Sequence, residues 1–322
     1  MIDLLRDTIG LSYSGINDLM ISPLRYWHKH LNPERVKPDP TPAMEFGRAA
    51  HCAVLEPDRF DVRYCRRFDA ADVEGCLQTV PDIKQWIIDK GGKPKTVAKS
   101  LLIDQAMKID PNVPIYDVLR LVHGDKHAGK VELTAEDWER LQGVREALRN
   151  EVLLAEILAE GEAEMPFVVQ HEGINLKARM DWITPDETLD IKTFSDFRKI
   201  PIDKIITNAI FYEHYYRQGY FYSLIRAIAN GNTDSSAAQT APRFIFVFVE
   251  SDPPHETRIR ELKPKESGQA CMLWERARIE CNWAINIYRE YMDKFGVEKP
   301  WRYAQKIEAL VDEEFPALAY GG

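Results

Sequence analysis

Apolar and polar residues alternate with the two-residue period of a β-strand in the middle of the chain. Three stretches carry this pattern, separated by short turns, and are predicted to form a β-meander: Met165–His171, Ile174–Ile183 and Thr188–Lys192. On the third strand, alternate side chains share a face. Asp190 and Lys192 should therefore point one way, while Leu189 and Ile191 pack into an apolar layer behind them.

Helical patterns surround this meander. The predicted helices are Ser14–His30 with an interruption at Pro23, Glu45–Leu55, an amphipathic helix that opens at Thr134, Asn208–Ala229 and Ser267–Phe295. Two later strands are predicted at Phe244–Glu250, whose continuous apolar run is typical of a buried sheet member, and near Thr257–Leu262. The pattern as a whole predicts an α/β fold.

The chain is predicted to form a single domain over residues 1–322, in four parts: an N-terminal helical part (1–59), an insertion (about 60–130), a core (about 131–300) and a tail (301–322). The insertion begins with a strand-like piece, Val62–Arg66, and is then interrupted by prolines and a glycine pair. Its apolar residues show too little periodicity to predict a core of its own. The tail from Trp301 has a marginal helical pattern, and docking on a neighbouring subunit is one expectation for it.

The most informative residues are Asp181 and the run Asp190-Ile191-Lys192. Asp181 lies near the end of the second strand and could converge on Asp190. Carboxylate oxygens select Mg²⁺ or Mn²⁺, which can share their coordination with a substrate phosphate and lower the pKa of a bound water. Lys192 could then orient that water or stabilise developing charge. The alternative is a surface strand with an ordinary Asp/Lys ion pair.

Two further motifs lie at compatible places. Gly47–His51 has the form GxxxH, and Gln218–Tyr222 has the form QxxxY. Together with the Asp181 and Asp190–Lys192 pattern, they make the chain resemble the RecB-type nucleases of the PD-(D/E)XK superfamily. Three other segments resemble the phage and prophage RecE-like exonucleases (exonuclease VIII type) more narrowly: Leu11–Ser14, Ile21–Pro23 and Gly47–Pro57. The resemblance extends from about Leu11 to Tyr222.

The resemblance implies a PD-(D/E)XK core, with a central mixed β-sheet flanked by helices, and a role for each motif residue. His51 would supply a nitrogen ligand to the metal, alongside Asp181, Asp190 and the carbonyl of Ile191. The other implied roles are activation or orientation of water by Lys192 and positioning of DNA by Gln218 and Tyr222. Glu164 is the candidate for a supporting acidic group, a role for which Glu160 and Glu162 compete. For His51 the alternative is a buried histidine bonded to a backbone carbonyl, and the aromatic helix around Tyr222 could equally be core.

The resemblance also implies an activity and partners. The implied activity is 5′→3′ degradation of linear double-stranded DNA from its ends, with Mg²⁺ as the metal and Mn²⁺ as a substitute. The implied partner is a RecT-type annealing protein that uses the resulting 3′ single strands in recombination. The family also implies assembly into a ring-shaped homotetramer. Two other readings stay open: an endonuclease or single-strand-specific nuclease on the same fold, and a non-catalytic DNA-binding protein. The chain has no GxSxG, HExxH or P-loop motif, so other hydrolase classes find little support.

The formal net charge of −9 is unusual for a DNA-binding protein, but its distribution is uneven. Residues 132–164 are mainly acidic, whereas residues 192–226 carry more basic than acidic groups. The candidate phosphate contacts are Arg48, Arg198, Lys199, Lys204 and Arg217.

The five cysteines form no CxxC pair, which argues against an iron–sulfur cluster and fits free thiols in a reducing cytosol. Neither a secretion signal nor a run of eighteen apolar residues occurs, so a cytoplasmic protein is expected.

Overall fold

The computed structural model describes residues 4–36, 38–95, 98–195, 199–234, 236–264 and 272–303. The helices are, in chain order, α1 (Leu4–Asp7), α2 (Tyr13–Ile21), α3 (Pro23–Tyr26), α4 (Pro42–Leu55), α5 (Pro57–Arg63), α6 (Val80–Asp89), α7 (Lys99–Ile109), α8 (Tyr116–Lys126), α9 (Ala135–Asn150), α10 (Val152–Ile157), α11 (Ile202–Tyr212), α12 (Tyr215–Ala229) and α13 (Met272–Phe295). The strands are β1 (Tyr64–Arg66), β2 (Val131–Leu133), β3 (Glu162–His171), β4 (Ile174–Ile183), β5 (Glu187–Phe194), β6 (Arg243–Glu250) and β7 (Thr257–Leu262).

A mixed five-stranded sheet forms the centre of the molecule, with the strand order β3-β4-β5-β6-β7. Its neighbouring strands are antiparallel except for β5 and β6, which are parallel. A parallel pair needs a crossover connection, and here helices α11 and α12 lie between the two strands in the chain. The predicted meander is therefore β3, β4 and β5, with the first and third strands longer than expected.

Helices cover both faces of the sheet, as the alternation along β6 shows. Phe244, Phe246 and Phe248 belong to one apolar cluster, with residues of α2, α12 and α13. The intervening residues Ile245 and Val247 belong to a second cluster, with residues of α4 and α9. Because both faces of β6 are buried, its sequence is continuously apolar. The predicted α/β fold, a mixed sheet flanked by helices, is confirmed.

Strand β5 divides its side chains between these two faces as the sequence pattern predicts. Leu189 and Ile191 are buried in the second cluster, against helix α4. Asp190 and Lys192 point to the opposite face, where Asp190 contacts helix α12 through Gln218. The polar pair is thus held on a strand whose other face is anchored in the core.

Helix α4 begins earlier than the predicted Glu45–Leu55. Thr41 caps its N-terminus, with the hydroxyl oxygen accepting the N–H of Met44 at 3.3 Å, and Pro42 occupies the first helical position. The buried face carries Ala49, Ala50 and other small residues, which allow the helix to pack closely in the second cluster.

The single helix predicted over Asn208–Ala229 is wrong, because the structure has two helices there. His214 adopts a left-handed conformation, with a φ of 59°, and separates α11 from α12. The break lets α12 turn into the interior, where every residue from Tyr216 to Ala227 is buried. Helix α11 stays amphipathic, with only Ile206 fully buried.

The insertion contains a small core, contrary to the expectation from its pattern. Six residues form an apolar cluster separate from the two around the sheet: Ile83, Ile87, Leu102, Ala106, Val113 and Ile115. Strand β1 is shorter than the predicted Val62–Arg66, because residues 57–63 form α5. It pairs in parallel with β2, so the two ends of the insertion meet in a two-stranded sheet.

The beginning of the tail packs on its own chain. Trp301 is buried against Tyr26 and Tyr288, and its indole N–H donates to the carbonyl of Gly296 at 2.7 Å. The rest of the tail, residues 304–322, lies outside the described part of the chain, so its docking on a neighbouring subunit stays a prediction. The predicted helix Ser267–Phe295 is observed from Met272, since residues 265–271 are also outside the described part. None of the described helices combines the length and the apolar character needed to span a bilayer.

Candidate metal centre

Asp181 lies where β4 and β5 stop pairing. The two strands are paired at Trp182 with Leu189 and at Ile183 with Thr188. One residue further, the Asp181 carboxylate takes the place of a backbone carbonyl and accepts the N–H of Ile191 at 2.8 Å. This bond fixes the carboxylate beside the Asp190-Ile191-Lys192 run, which is the convergence that the sequence predicts. The side chain of Ile191 is buried behind it, and a ligand role for its carbonyl stays a prediction.

His51 approaches the same carboxylate from helix α4. Its Nδ1 atom lies 3.4 Å from Oδ2 of Asp181, and about a quarter of the side chain is exposed. The partner is an acidic side chain, not the backbone carbonyl of the alternative reading. The imidazole therefore faces the carboxylate cluster at the edge of a groove.

Glu164 completes a three-residue group. It lies in β3 directly opposite Asp181, between the pairs Ala163 with Trp182 and Met165 with Met180, and its φ of 52° interrupts the pairing there. A left-handed conformation costs a residue other than glycine roughly 1–3 kcal/mol and is common at functional sites. One ligand atom from each of His51, Glu164 and Asp181 lies within 4.8 Å of the others.

Asp190 and Lys192 form the second half of the site. The Lys192 Nζ atom lies 2.7 Å from Oδ2 of Asp190, and the carboxyl group is almost completely buried. The Gln218 amide donates a hydrogen bond to the other carboxylate oxygen. Within the described residues, the buried Oε1 atom of Gln218 has no hydrogen-bond partner, whereas Asp190 Oδ2 is held by the Lys192 ammonium. The amide oxygen of Gln218 is therefore available to a further ligand.

Burial and mutual attraction set the charges of this cluster. Burial works to lower the pKa of His51, but the Asp181 carboxylate outweighs it and raises that pKa to about 9. For Asp190, burial raises the pKa to about 6, although Lys192 opposes the shift. For Lys192, burial is outweighed by Asp190 and Asp181, which raise its pKa above the usual value. Lys192 is therefore a stable cation at neutral pH.

The two remaining carboxyl groups shift in opposite directions. Burial tends to raise the pKa of Asp181, but His51, Lys192 and the N–H of Ile191 together lower it. Burial and the neighbouring Asp181 raise the pKa of Glu164. Asp181 is thus the fixed anion of the centre, and an added cation would stabilise the charged form of Glu164.

Tyrosines close the site on the side of α12. Tyr222 is buried, and burial followed by the charges of Asp190 and Asp181 raises its pKa. The Lys192 ammonium lies 4.9 Å from the ring centroid of Tyr215, a cation–π contact. The Tyr13 hydroxyl donates to the carbonyl of Glu213 at 2.9 Å, and its pKa responds to Lys192 and Asp190 as well as to burial. The contact of Tyr215 with Lys192 was not predicted, since Tyr215 does not belong to the QxxxY pattern.

A groove of about 800 Å³ opens beside His51, Glu164 and Asp181. Four arginines line it, from three separate elements: Arg48 of α4, Arg59 and Arg63 of α5, and Arg179 of β4. Arg48 was expected to contact phosphate. The other three were missed, because nothing in the linear sequence brings these segments together.

The remaining predicted DNA contacts are distributed differently. Arg217 is buried, where it pairs with Glu280 and donates to Asn17 at 2.9 Å, so it supports the fold and has no surface to offer DNA. Lys199 and Lys204 are exposed after β5 and on α11, and a DNA contact by them stays a prediction. Arg198 falls outside the described residues.

The donors present suit a hard or borderline divalent cation. Two carboxylates and an imidazole face one another across β3, β4 and α4, and a third, buried carboxylate, that of Asp190, lies nearby beside Lys192. Mg²⁺ and Mn²⁺ favour oxygen ligands, and Mn²⁺ also accepts imidazole nitrogen. The donor set thus fits a divalent metal centre.

Comparison with known proteins supports this description of the fold. The crystal structure of a Eubacterium rectale protein named "Putative exonuclease" matches with a TM-score of 0.51 at 12% identity, covering 95% of this chain and 92% of that one. The crystal structure of SSO0001 matches at 14% identity over 67% of this chain and 77% of that one, and its TM-score of 0.25 is too low to carry an argument. Comparison with the curated proteins finds no match.

A family model supplies the assignment. The model described as "PDDEXK-like domain of unknown function (DUF3799)" matches residues 12–283, which include every predicted catalytic and metal-binding residue. The two acidic residues and the lysine in this description correspond in type to Asp181, Asp190 and Lys192, which the structure brings together. The chain belongs to this PDDEXK-like family.

Proposed function

We propose that this chain is a divalent-metal-dependent deoxyribonuclease that degrades linear double-stranded DNA from its ends. The observation that carries the proposal is the convergence of His51, Glu164, Asp181, Asp190 and Lys192 at the edge of one sheet, beside a groove lined with arginines. The name of the Eubacterium rectale protein with a similar fold, "Putative exonuclease", agrees with it.

Each group has a role that its surroundings support. His51, Glu164, Asp181 and Asp190 would hold the metal, and Mg²⁺ is the proposed ion, with Mn²⁺ as a substitute. A bound divalent cation supplies Lewis acidity and a more acidic water at the scissile phosphate. Lys192 remains protonated, because its pKa is raised. It therefore contributes as a fixed positive charge that orients water and stabilises negative charge, not as a general base.

The surrounding residues position these groups. The Gln218 amide holds one oxygen of Asp190, which leaves the other oxygen directed at Lys192. Tyr222 stays protonated, since its pKa is raised, and acts as a neutral phenol beside the carboxylates. The net charge of the chain is negative, but the arginines of the groove place positive charge near the centre. The proposed phosphate binding therefore depends on this groove and not on the charge of the whole protein.

The finer parts of the proposal come from the resemblance to RecE-like exonucleases. They are the 5′→3′ direction, a RecT-type annealing partner for the 3′ single strands, a role in phage or prophage recombination, and a ring-shaped homotetramer. Native mass spectrometry tests the stoichiometry, with four chains expected. Co-purification with a RecT-type single-strand annealing protein tests the partner.

The activity is tested with a linear duplex that carries a different label at each 5′ and 3′ end, and with the same DNA as a covalently closed circle. With Mg²⁺, we expect loss of the 5′ labels from the linear duplex first, no cutting of the closed circle and no reaction with a chelator. Cutting of the closed circle would show an endonuclease. Binding of DNA without cutting under any metal would show the non-catalytic alternative.

A variant pair ties the activity to the site. Lys192→Ala should slow single-turnover cleavage about 10²–10³-fold, the range for loss of one group that stabilises developing charge. Lys108→Ala removes an exposed lysine from the insertion helix α7 and should cleave normally. Equal rates in the two variants would remove Lys192 from the chemistry.

A further inference from the structure

A second cluster of metal-binding side chains lies at the base of the insertion, away from the candidate metal centre. It consists of Cys65 on β1 and of His123 and His127 at the C-terminal end of α8. The Cys65 Sγ atom and one ring nitrogen from each histidine all lie within 4.8 Å of one another. Ligand atoms around a tetrahedral zinc ion are about 3.3–3.8 Å apart, as its bond lengths require, so shifts of roughly 1 Å would complete such a site.

Each histidine has a backbone carbonyl within hydrogen-bond distance of one of its ring nitrogens. Nε2 of His123 lies 2.9 Å from the carbonyl oxygen of Arg66, and Nδ1 of His127 lies 3.0 Å from the carbonyl oxygen of His123. If each of these nitrogens donates to its carbonyl, the other nitrogen of each ring carries a lone pair. Backbone acceptors of this kind hold the tautomer and the ring orientation in many metal sites.

The arrangement brings two imidazoles unusually close together. Their ring centroids are 4.2 Å apart, because residues four apart share a face at the end of the helix. Cys65 is buried, and Glu132 lies directly opposite it on β2. A buried thiol, two facing imidazoles and an adjacent carboxylate are an electron-rich set that favours a cation.

We propose that Cys65, His123 and His127 bind a zinc ion, with a water in the fourth position. Thiolate and imidazole ligands select Zn²⁺ over Mg²⁺, so this site and the carboxylate-rich centre would take different metals. Binding replaces the thiol proton by the metal: the S–H bond breaks, a Zn–S bond forms and the proton passes to solvent.

The cluster lies where the insertion begins and where it ends. Cys65 precedes the insertion helices α6–α8, and the two histidines end the last of them. Zinc would add to the contacts that already join the end of the insertion to its start, which include the strand pair β1–β2 and the hydrogen bond between His123 and the Arg66 carbonyl. Zinc would also connect the insertion, which has its own small core, to strand β1. This strand directly follows helix α5, and Arg59 and Arg63 of α5 line the groove.

The test measures zinc directly and needs no nuclease activity. The purified protein is stripped with a chelator, reloaded with Zn²⁺ or Co²⁺, dialysed and analysed for metal content and absorption. Cys65→Ser is compared with Cys76→Ser, which removes a second cysteine of the same segment that lies outside the cluster. All samples carry His51→Ala, which weakens the other metal centre.

We expect one tightly bound zinc per chain and, with Co²⁺, the near-ultraviolet absorption of a thiolate–cobalt bond. Both should persist in Cys76→Ser. In Cys65→Ser the absorption should disappear and zinc affinity should fall at least about tenfold, the lower range for loss of a supporting group at a metal site. Zinc should also raise the melting temperature of the parent protein and not that of Cys65→Ser.

Equal zinc content and absorption in the two serine variants would overturn the proposal, as would thiolate absorption that vanishes only on Cys52→Ser, beside His51. If Cys65→Ser does not fold, His127→Gln replaces it, because this side chain is only partly buried. Unchanged zinc affinity in folded His127→Gln would likewise refute the site.

Discussion

Metal binding at the His51 centre should be coupled to the release of one proton. In the metal-free protein, the Asp181 carboxylate 3.4 Å away raises the pKa of His51 to about 9. A metal binds only the neutral imidazole. At pH 7, two units below the pKa of His51, the imidazole is almost always protonated, so the metal must displace that proton. The displacement weakens the apparent affinity about 100-fold, or by about 2.7 kcal/mol.

The apparent affinity for Mn²⁺ should therefore rise about tenfold per pH unit from pH 7 and level off as the pH approaches 9. Titration followed by electron paramagnetic resonance between pH 7 and 8.5 measures this slope. The matched variant is His51→Gln, which keeps a polar side chain near Asp181 but has no proton to release. It should bind Mn²⁺ more weakly than the parent protein, with an affinity that hardly changes over this range.

The same ionisation should appear in the stability of the metal-free protein. A histidine whose folded pKa lies above its unfolded value stabilises the fold fully below pH 6.5, and loses that contribution as the pH rises through about 9. The free energy of unfolding should fall by about 2 kcal/mol between pH 7 and 9 in the parent protein. The fall should be absent in His51→Gln. A flat Mn²⁺ affinity in the parent protein, or the same slope in both proteins, would refute the reasoning.

Three other predictions concern the groove and the packing of α12. Arg59→Ala should weaken DNA binding and reduce the slope of log affinity against log salt by about 1, as expected for one lost phosphate contact, and an unchanged slope would exclude such a contact. Arg217→Ala should instead lower the free energy of unfolding by about 3 kcal/mol in urea titrations, because it leaves Glu280 without its buried partner; a drop in DNA affinity without loss of stability would contradict this. Gly219→Ala should lower stability by about 1–3 kcal/mol, since the added Cβ would lie 2.6 Å from a leucine side chain of β7, whereas Gly124→Ala meets open space in a helix and should be neutral or stabilising. Equal melting temperatures for the two glycine variants would show that α12 can move away from the sheet.

The parts of the site that could be predicted are those encoded by short-range periodicity. The opposite orientations of Asp190 and Ile191 follow from the two-residue period of a strand. Ile191 packs into the second apolar cluster, which leaves the other face of β5 for polar side chains. The position of Gln218 and Tyr222 on one face of a helix follows in the same way from their spacing. Such relations depend on a few neighbouring residues, so they survive even when the bounds of an element are misjudged.

The break before α12 could not be predicted from local sequence. Residues 208–229 contain neither proline nor an interior pair of glycines, and their apolar residues continue at helical spacing. The left-handed conformation of His214 becomes favourable only because α12 can then bury nearly its whole length between the sheet, α2 and α13. Tertiary packing here overrides helical propensity.

The arginines of the groove could not be predicted from charge counts along the sequence either. Charge counted along the chain pointed to residues 192–226, yet Arg217 of that segment is buried in an ion pair. The arginines of the groove come from α4, α5 and β4, and Glu56 between them pairs with both Arg59 and Arg63. A local excess of positive charge depends on which segments meet on the folded surface. Counting charged residues along the sequence therefore does not reveal it.

The electrostatics of the centre explain why a divalent cation would be its natural complement. Without one, the buried cluster balances its carboxylates with a proton on His51 and the ammonium of Lys192, and burial still raises the pKa of Asp190 and of Glu164. A divalent ion can replace the His51 proton and also satisfy the carboxylates that burial destabilises. In the metal-free centre, Asp190 and Asp181 raise the pKa of Lys192 and hold it as a cation. Its position on β5 places this charge beside the carboxylates that are proposed to hold the metal, which links that position to the chemistry proposed for it.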